Sequence, residues 1–170
     1  MVSELEANVK LNALQNVTIR PIGLSNEVGE RLFYLPFPGD EAMGSLEDNG
    51  RTKVLSTASV QCSTLDTILR ELRIDRVDFV KMDVEGAELQ VLEGGVGLFA
   101  GEHRPIVVFE AYEANCAPFG YCVFDLLRRF DQLGYSVKQL DECDWCATPR
   151  VASGPTVAAS GTANVASARL

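Results

Sequence analysis

Apolar positions recur at helical spacing in several stretches and in short unbroken runs between them. Leu65, Ile68, Leu69 and Leu72 fall at i, i+3, i+4 and i+7, with Ser63 and Thr64 as candidate caps, which predicts an amphipathic helix. Val77 to Met82 reads as a short strand ending at Asp83. A helix is expected from Glu85 to Glu93, stopped by Gly94 and Gly95. Pro105 to Phe109 is a continuous apolar run ending at Glu110, the pattern of a strand covered on both faces. Val123, Phe124, Leu126, Leu127, Phe130 and Leu133 make another helix, stopped by Gly134, and Tyr135 to Leu140 reads as a last strand.

The first half carries weaker signals. Ser3 and Glu6 have capping-box spacing, and Leu5, Val9 and Asn12 share one face of a helix that ends near Leu14. Val17 to Ile22 is rich in β-branched residues and reads as a strand, with Pro21 marking an edge and Gly23-Leu24-Ser25-Asn26 closing it. Arg31 to Leu35 and Thr52 to Cys62 read as the two arms of a hairpin-like excursion around the loop Pro36 to Asp40 and the polar stretch Gly44 to Gly50. Strands and helices alternate from Val17 to Leu140, which is the α/β pattern with a largely parallel sheet. The segment Val151 to Leu170 holds six alanines, three serines and one charge, Arg169, and is expected to be disordered. The chain thus divides into one domain over 1–148 and a low-complexity tail over 149–170.

Composition narrows the classes. The chain has 170 residues, 46% of them hydrophobic and 23% charged, enough for one packed domain. Aspartate and glutamate outnumber lysine and arginine by 24 to 15, giving a formal charge of -9. Such a surface repels phosphate backbones and disfavours nucleic-acid binding. No apolar run reaches the roughly 18 residues of a membrane span. No basic, then apolar, leader follows Met1, so a cytoplasmic protein is expected, with its five cysteines as thiols.

Two strands finish in a carboxylate, Asp83 and Glu110, and in an open sheet ligands bind beyond the carboxyl ends of strands. Gly86 permits a tight turn beside Asp83, and Glu85 and Glu88 would sit in the first turn of the next helix, where its dipole favours negative charge. Tyr112, Phe119 and Tyr121 could floor a pocket or simply fill the core. His103 precedes a strand at the opposite end of the sheet. Cys143-Asp144-Trp145-Cys146 has half-site spacing without a second pair. A magnesium-dependent hydrolase using Asp83, Glu85 and Glu110 as oxygen ligands is a further possibility, weakened by the absence of a second close aspartate pair.

Lys81-Met82-Asp83-Val84-Glu85-Gly86-Ala87-Glu88, followed by Val91-Leu92 and Gly94, resembles the signature of the FkbM-type methyltransferases. Thr64-Leu65-Asp66, Arg104-Pro105 with Glu110, and Gly134-Tyr135 are similar to the family's flanking runs. So are Asn8 to Asn12, Asn16-Val17 and Gly23-Leu24-Ser25 with Gly29 upstream. The resemblance implies a Rossmann-like methyltransferase sheet, S-adenosylmethionine as cofactor, and methyl transfer to a hydroxyl of a small-molecule, sugar or lipid-linked acceptor. It implies Asp83 and Glu110 as catalytic residues, and Gly23, Leu24, Ser25, Asp83, Glu85 and Gly86 as cofactor-binding ones. No resident metal is expected. The sequence departs from that pattern at its start. No glycine-rich turn precedes the Ser3 to Leu14 helix, so the sheet is expected to lack its first two strands, as a truncated enzyme would. The alternative is a non-catalytic remnant or interaction module of the same fold.

Overall fold

The strands sort into two small sheets in a computed structural model that describes residues 2–37, 43–50 and 53–151. Expectations for Pro38-Gly39-Asp40, for Thr52 and for residues 152–170 of the tail lie outside that range. Helix α1 spans Val2–Leu11 and buries no residue. It is already running at Val2, so Ser3 lies inside the first turn and not at its cap.

The first sheet holds β1 (Gly23–Leu24), β2 (Gly29–Pro36) and β3 (Val54–Ser63) in the order β1-β3-β2. The expected hairpin forms: β2 and β3 pair antiparallel from Gly29↔Cys62 to Leu35↔Ser56, with an irregularity at Pro36, which has no N–H to donate. The strand expected over Val17–Ile22 does not form. Pro21 cannot donate either, and the Ile22 N–H turns back onto the Arg20 carbonyl at 2.9 Å. Pairing starts at Gly23, parallel to β3, where a Cβ would come within 2.8 Å of the Cys62 sulfur. Gly23 and Leu24 are therefore strand, not loop.

The second sheet holds β4 (Phe79–Met82), β5 (Ile106–Glu110), β6 (Tyr135–Gln139) and β7 (Asp144–Pro149) in the order β4-β5-β7-β6. β4 and β5 are parallel, and β7 runs antiparallel to both β5 and β6. The largely parallel sheet expected from alternation is thus a mixed one, because β6 returns through a tight turn into β7. The Asp141 carboxylate closes that turn by accepting the N–H groups of Cys143 (3.0 Å) and Asp144 (2.8 Å). β7 ends at Pro149.

Helices α2 (Leu65–Leu72), α3 (Glu88–Gly94), α4 (Val96–Phe99), α5 (Glu113–Cys116) and α6 (Val123–Gln132) complete the fold, with a 3₁₀ turn at Ala117–Phe119. The main core joins Met82, Val107, Phe109 and Tyr135 of the sheet to Val91, Leu92, Phe99, Leu126 and Phe130 of the helices. Phe109 stacks on Phe130 with centroids 4.6 Å apart, and Phe130 meets Tyr135 edge-on at 5.6 Å. Such pairs contribute about 0.5–1.5 kcal/mol each beyond their burial. β5 alternates instead of being covered on both faces: Val107 and Phe109 are buried, whereas Ile106 is 43% exposed beside Phe79 at 56%.

Residues far apart in sequence that carry the family resemblance meet in space. Thr64 caps α2, its hydroxyl accepting the Thr67 N–H at 3.2 Å, and Asp66 caps α4 by accepting Gly97 N–H (2.8 Å) and Leu98 N–H (3.1 Å). Arg104 donates to the carbonyls of Leu133 and Gly134, both at 3.0 Å, clamping the turn before Tyr135. Gly94 lies against the Ser25 carbonyl, where a Cβ has no room. Much of that pattern therefore serves packing.

Candidate active site

Between the end of β4 and the start of α3 lies the turn Asp83 to Ala87. The helix expected from Glu85 begins at Glu88, because Glu85 (φ 49) and Gly86 (φ 104) both adopt left-handed backbone. Glycine takes that conformation freely, while for glutamate it costs on the order of 1–3 kcal/mol and persists only where surroundings over-determine it. Three tethers from distant segments do so. The Ser45 hydroxyl donates to the Glu85 carbonyl at 2.7 Å, Asn115 Nδ2 donates to Glu85 Oε2 at 2.8 Å, and the Tyr121 hydroxyl donates to the Gly86 carbonyl at 2.7 Å. A Cβ on Gly86 would run into the Asn115 carbonyl and approach the Phe119 ring to 2.7 Å. Gly86 is thus a packing necessity.

Beneath the turn, Glu88 is 2% exposed. Burial pushes its carboxyl above the ordinary glutamate value, although backbone N–H groups and Tyr121 partly oppose the shift. The Tyr121 hydroxyl also lies within donating distance of Glu88 Oε2, at 3.2 Å, and the Val84 N–H donates to Glu88 Oε1 at 3.4 Å. Burial likewise pushes the Cys116 thiol up to about 11. Tyr121 and Phe119 belong to this buried layer, and neither floors an open pocket.

Beside the turn opens a cavity of about 570 Å³, within the range of small-molecule sites. Its walls are mostly apolar, from Ile22, Leu24, Phe33, Leu46, Val60 and Val84, with Asp83, Glu85 and Arg20 adding charge. Four of the expected cofactor residues, Gly23, Leu24, Asp83 and Glu85, line it. The other two do not. Gly86 is buried, and Ser25 is buried with its hydroxyl donating to Gln90 Oε1 at 3.2 Å. Glu110 also lies outside the lining. The register Met82↔Phe109 sets Glu110 beside Asp83 at the strand tips, but Glu110 hydrogen-bonds Tyr112. The Tyr112 hydroxyl is pushed up, chiefly by its hydrogen bond to Cys143, with Glu110 adding to the effect.

A larger hollow of about 850 Å³ lies at the other end of the sheet among Arg70, Arg73, Asp75 and His103. It sits away from the carboxyl ends of the strands, and the Asp66 carboxylate in its wall is occupied by the α4 cap. The trio Asp83, Glu85 and Glu110 is not drawn together as a magnesium site would need. Among the described residues, Asp141, Cys143 and Asp144 form a group whose donor atoms lie within 4.8 Å of one another. Asn115 and Ser45 went unremarked in the sequence, where single polar residues carry no periodic signal.

The Methyltransferase FkbM domain model matches residues 3–137, most of the chain. The chain belongs to the FkbM methyltransferase family. No curated protein and no solved structure matches it. As a member of that family it calls for a cofactor of the S-adenosylmethionine type, and the cavity's donor set fits the two ends of such a molecule. Glu85 offers a carboxylate to an ammonium group, and the apolar walls suit a purine. Among the described residues no helix of this methyltransferase is long and apolar enough to cross a membrane.

Proposed function

We propose that this FkbM-family chain binds S-adenosylmethionine in the cavity beside β4 and directs its methyl group to a hydroxyl of a small-molecule, sugar or lipid-linked acceptor. The observation that supports it is the hollow that gathers Gly23 and Leu24 with Asp83 and Glu85, two segments distant in sequence. When bound, the cofactor supplies an electrophilic methyl carbon on a sulfonium. Gly23 and Leu24 form the apolar side against the purine, and Glu85 accepts from the ammonium. Asp83, exposed at the strand tip, accepts the proton of the attacking hydroxyl. Glu110, at the neighbouring strand tip, lies outside this cavity and hydrogen-bonds Tyr112, so the orienting of that hydroxyl for in-line attack is not assigned to it.

Calorimetric titration with S-adenosylmethionine tests the reading. Heat of binding supports it, and silence favours a non-catalytic interaction module of the same fold. Asp83→Asn is expected to retain binding and lose turnover by about 100-fold or more. If that variant binds and turns over as the native chain does, Asp83 has no such role.

A further inference from the structure

We infer that Asn115 is a positioning residue that aims the Glu85 carboxylate at the ammonium end of a nucleoside-bearing amino acid, an inference resting on the cofactor reading above. Asn115 follows β5 in the short helix α5 and is 4% exposed. Its side-chain amide donates to Glu85 Oε2 at 2.8 Å across 30 residues of sequence. A flexible glutamate at a cavity wall loses rotamer freedom when its carboxylate is held by a buried donor, so a ligand cation need not pay that ordering. The surrounding backbone is held too. Ser45, 2% exposed, fixes the Glu85 carbonyl, and the Asn115 carbonyl closes on Gly86. Both backbone and carboxylate of Glu85 are thus preset before a ligand enters, which is how a charge-assisted contact gains directionality.

The test compares two probes on the full chain by calorimetry. S-adenosylmethionine carries the amino-acid end; 5′-methylthioadenosine shares the nucleoside and lacks it. Asn115→Ala is expected to weaken S-adenosylmethionine by about tenfold and leave methylthioadenosine within about twofold. Equal weakening of both probes indicates a packing role and overturns the inference, as does no weakening of either. A native chain that binds neither probe overturns the cofactor reading and this inference with it. A native chain that binds both, paired with a variant that does not discriminate, overturns this inference alone.

Circular dichroism checks the fold of the alanine variant. Should it unfold, Asn115→Leu keeps a similar volume and removes the amide donor. The same comparison then decides: selective weakening of S-adenosylmethionine supports the inference, and equal weakening of both probes, or of neither, overturns it.

Discussion

Glu88 is an acid held dry beneath the turn, and its proton has a pH consequence. Its folded-state value lies above the ordinary 4.5 because burial disfavours the charged form. Below the ordinary value both states hold the proton and the native chain has its full stability from this group. Above it the unfolded chain releases the proton while the folded chain keeps it, so stability falls with rising pH until the folded value is passed. Glu88→Gln keeps the shape and an acceptor oxygen for the Tyr121 hydroxyl, and does not titrate. The variant is expected to be the more stable, by a margin that widens upward from about pH 4.5 and then levels, measured by urea unfolding at several pH values. Gly86→Ala acts oppositely. With φ at 104 and the Asn115 carbonyl in the way, it is expected to lower unfolding free energy by roughly 2–4 kcal/mol.

At the scale of elements, legibility followed locality. The helix Leu65–Leu72 was read to the residue because its 3.6-residue period and its Thr64 cap are both local. The Val17–Ile22 strand failed because β-branched residues describe a surface that suits a sheet, and no neighbour pairs with it among the described residues. Strand β7 is not marked in the sequence although Trp145 and Ala147 alternate toward the core, since Cys143 and Cys146 break the apolar pattern; the five cysteines are free thiols, as expected. Asp66 illustrates a role that spacing hid, since the helix it caps begins 30 residues later. Asp66→Ala is expected to destabilise the chain by about 1 kcal/mol, read in denaturant midpoint with an unchanged slope.

Over the whole molecule, helices α3 and α6 cover one face of the four-stranded sheet and leave Phe79 and Ile106 exposed on the other. Apolar side chains there contribute little to the core and much to stickiness. Phe79→Ser with Ile106→Thr is expected to alter unfolding free energy by less than about 1 kcal/mol while raising the concentration at which light scattering increases. The acidic turn belongs to this scale as well. It is built from β4, the β2–β3 excursion and the segment after β5, and its left-handed backbone exists only where Ser45, Asn115 and Tyr121 converge.

By itself the sequence determined the α/β alternation, the hairpin, the amphipathic helices and the family, because periodicity, caps and a contiguous eight-residue run are properties of neighbouring residues. Only the tertiary structure decided which of the acids share a cavity. Asp83 and Glu85 border it, Glu110 turns to Tyr112, and Glu88 goes beneath it as a buried acid. Four carboxylates within one strand-end pattern look alike along the chain. Desolvation and hydrogen-bond partners separate them, and both are set by segments distant in sequence.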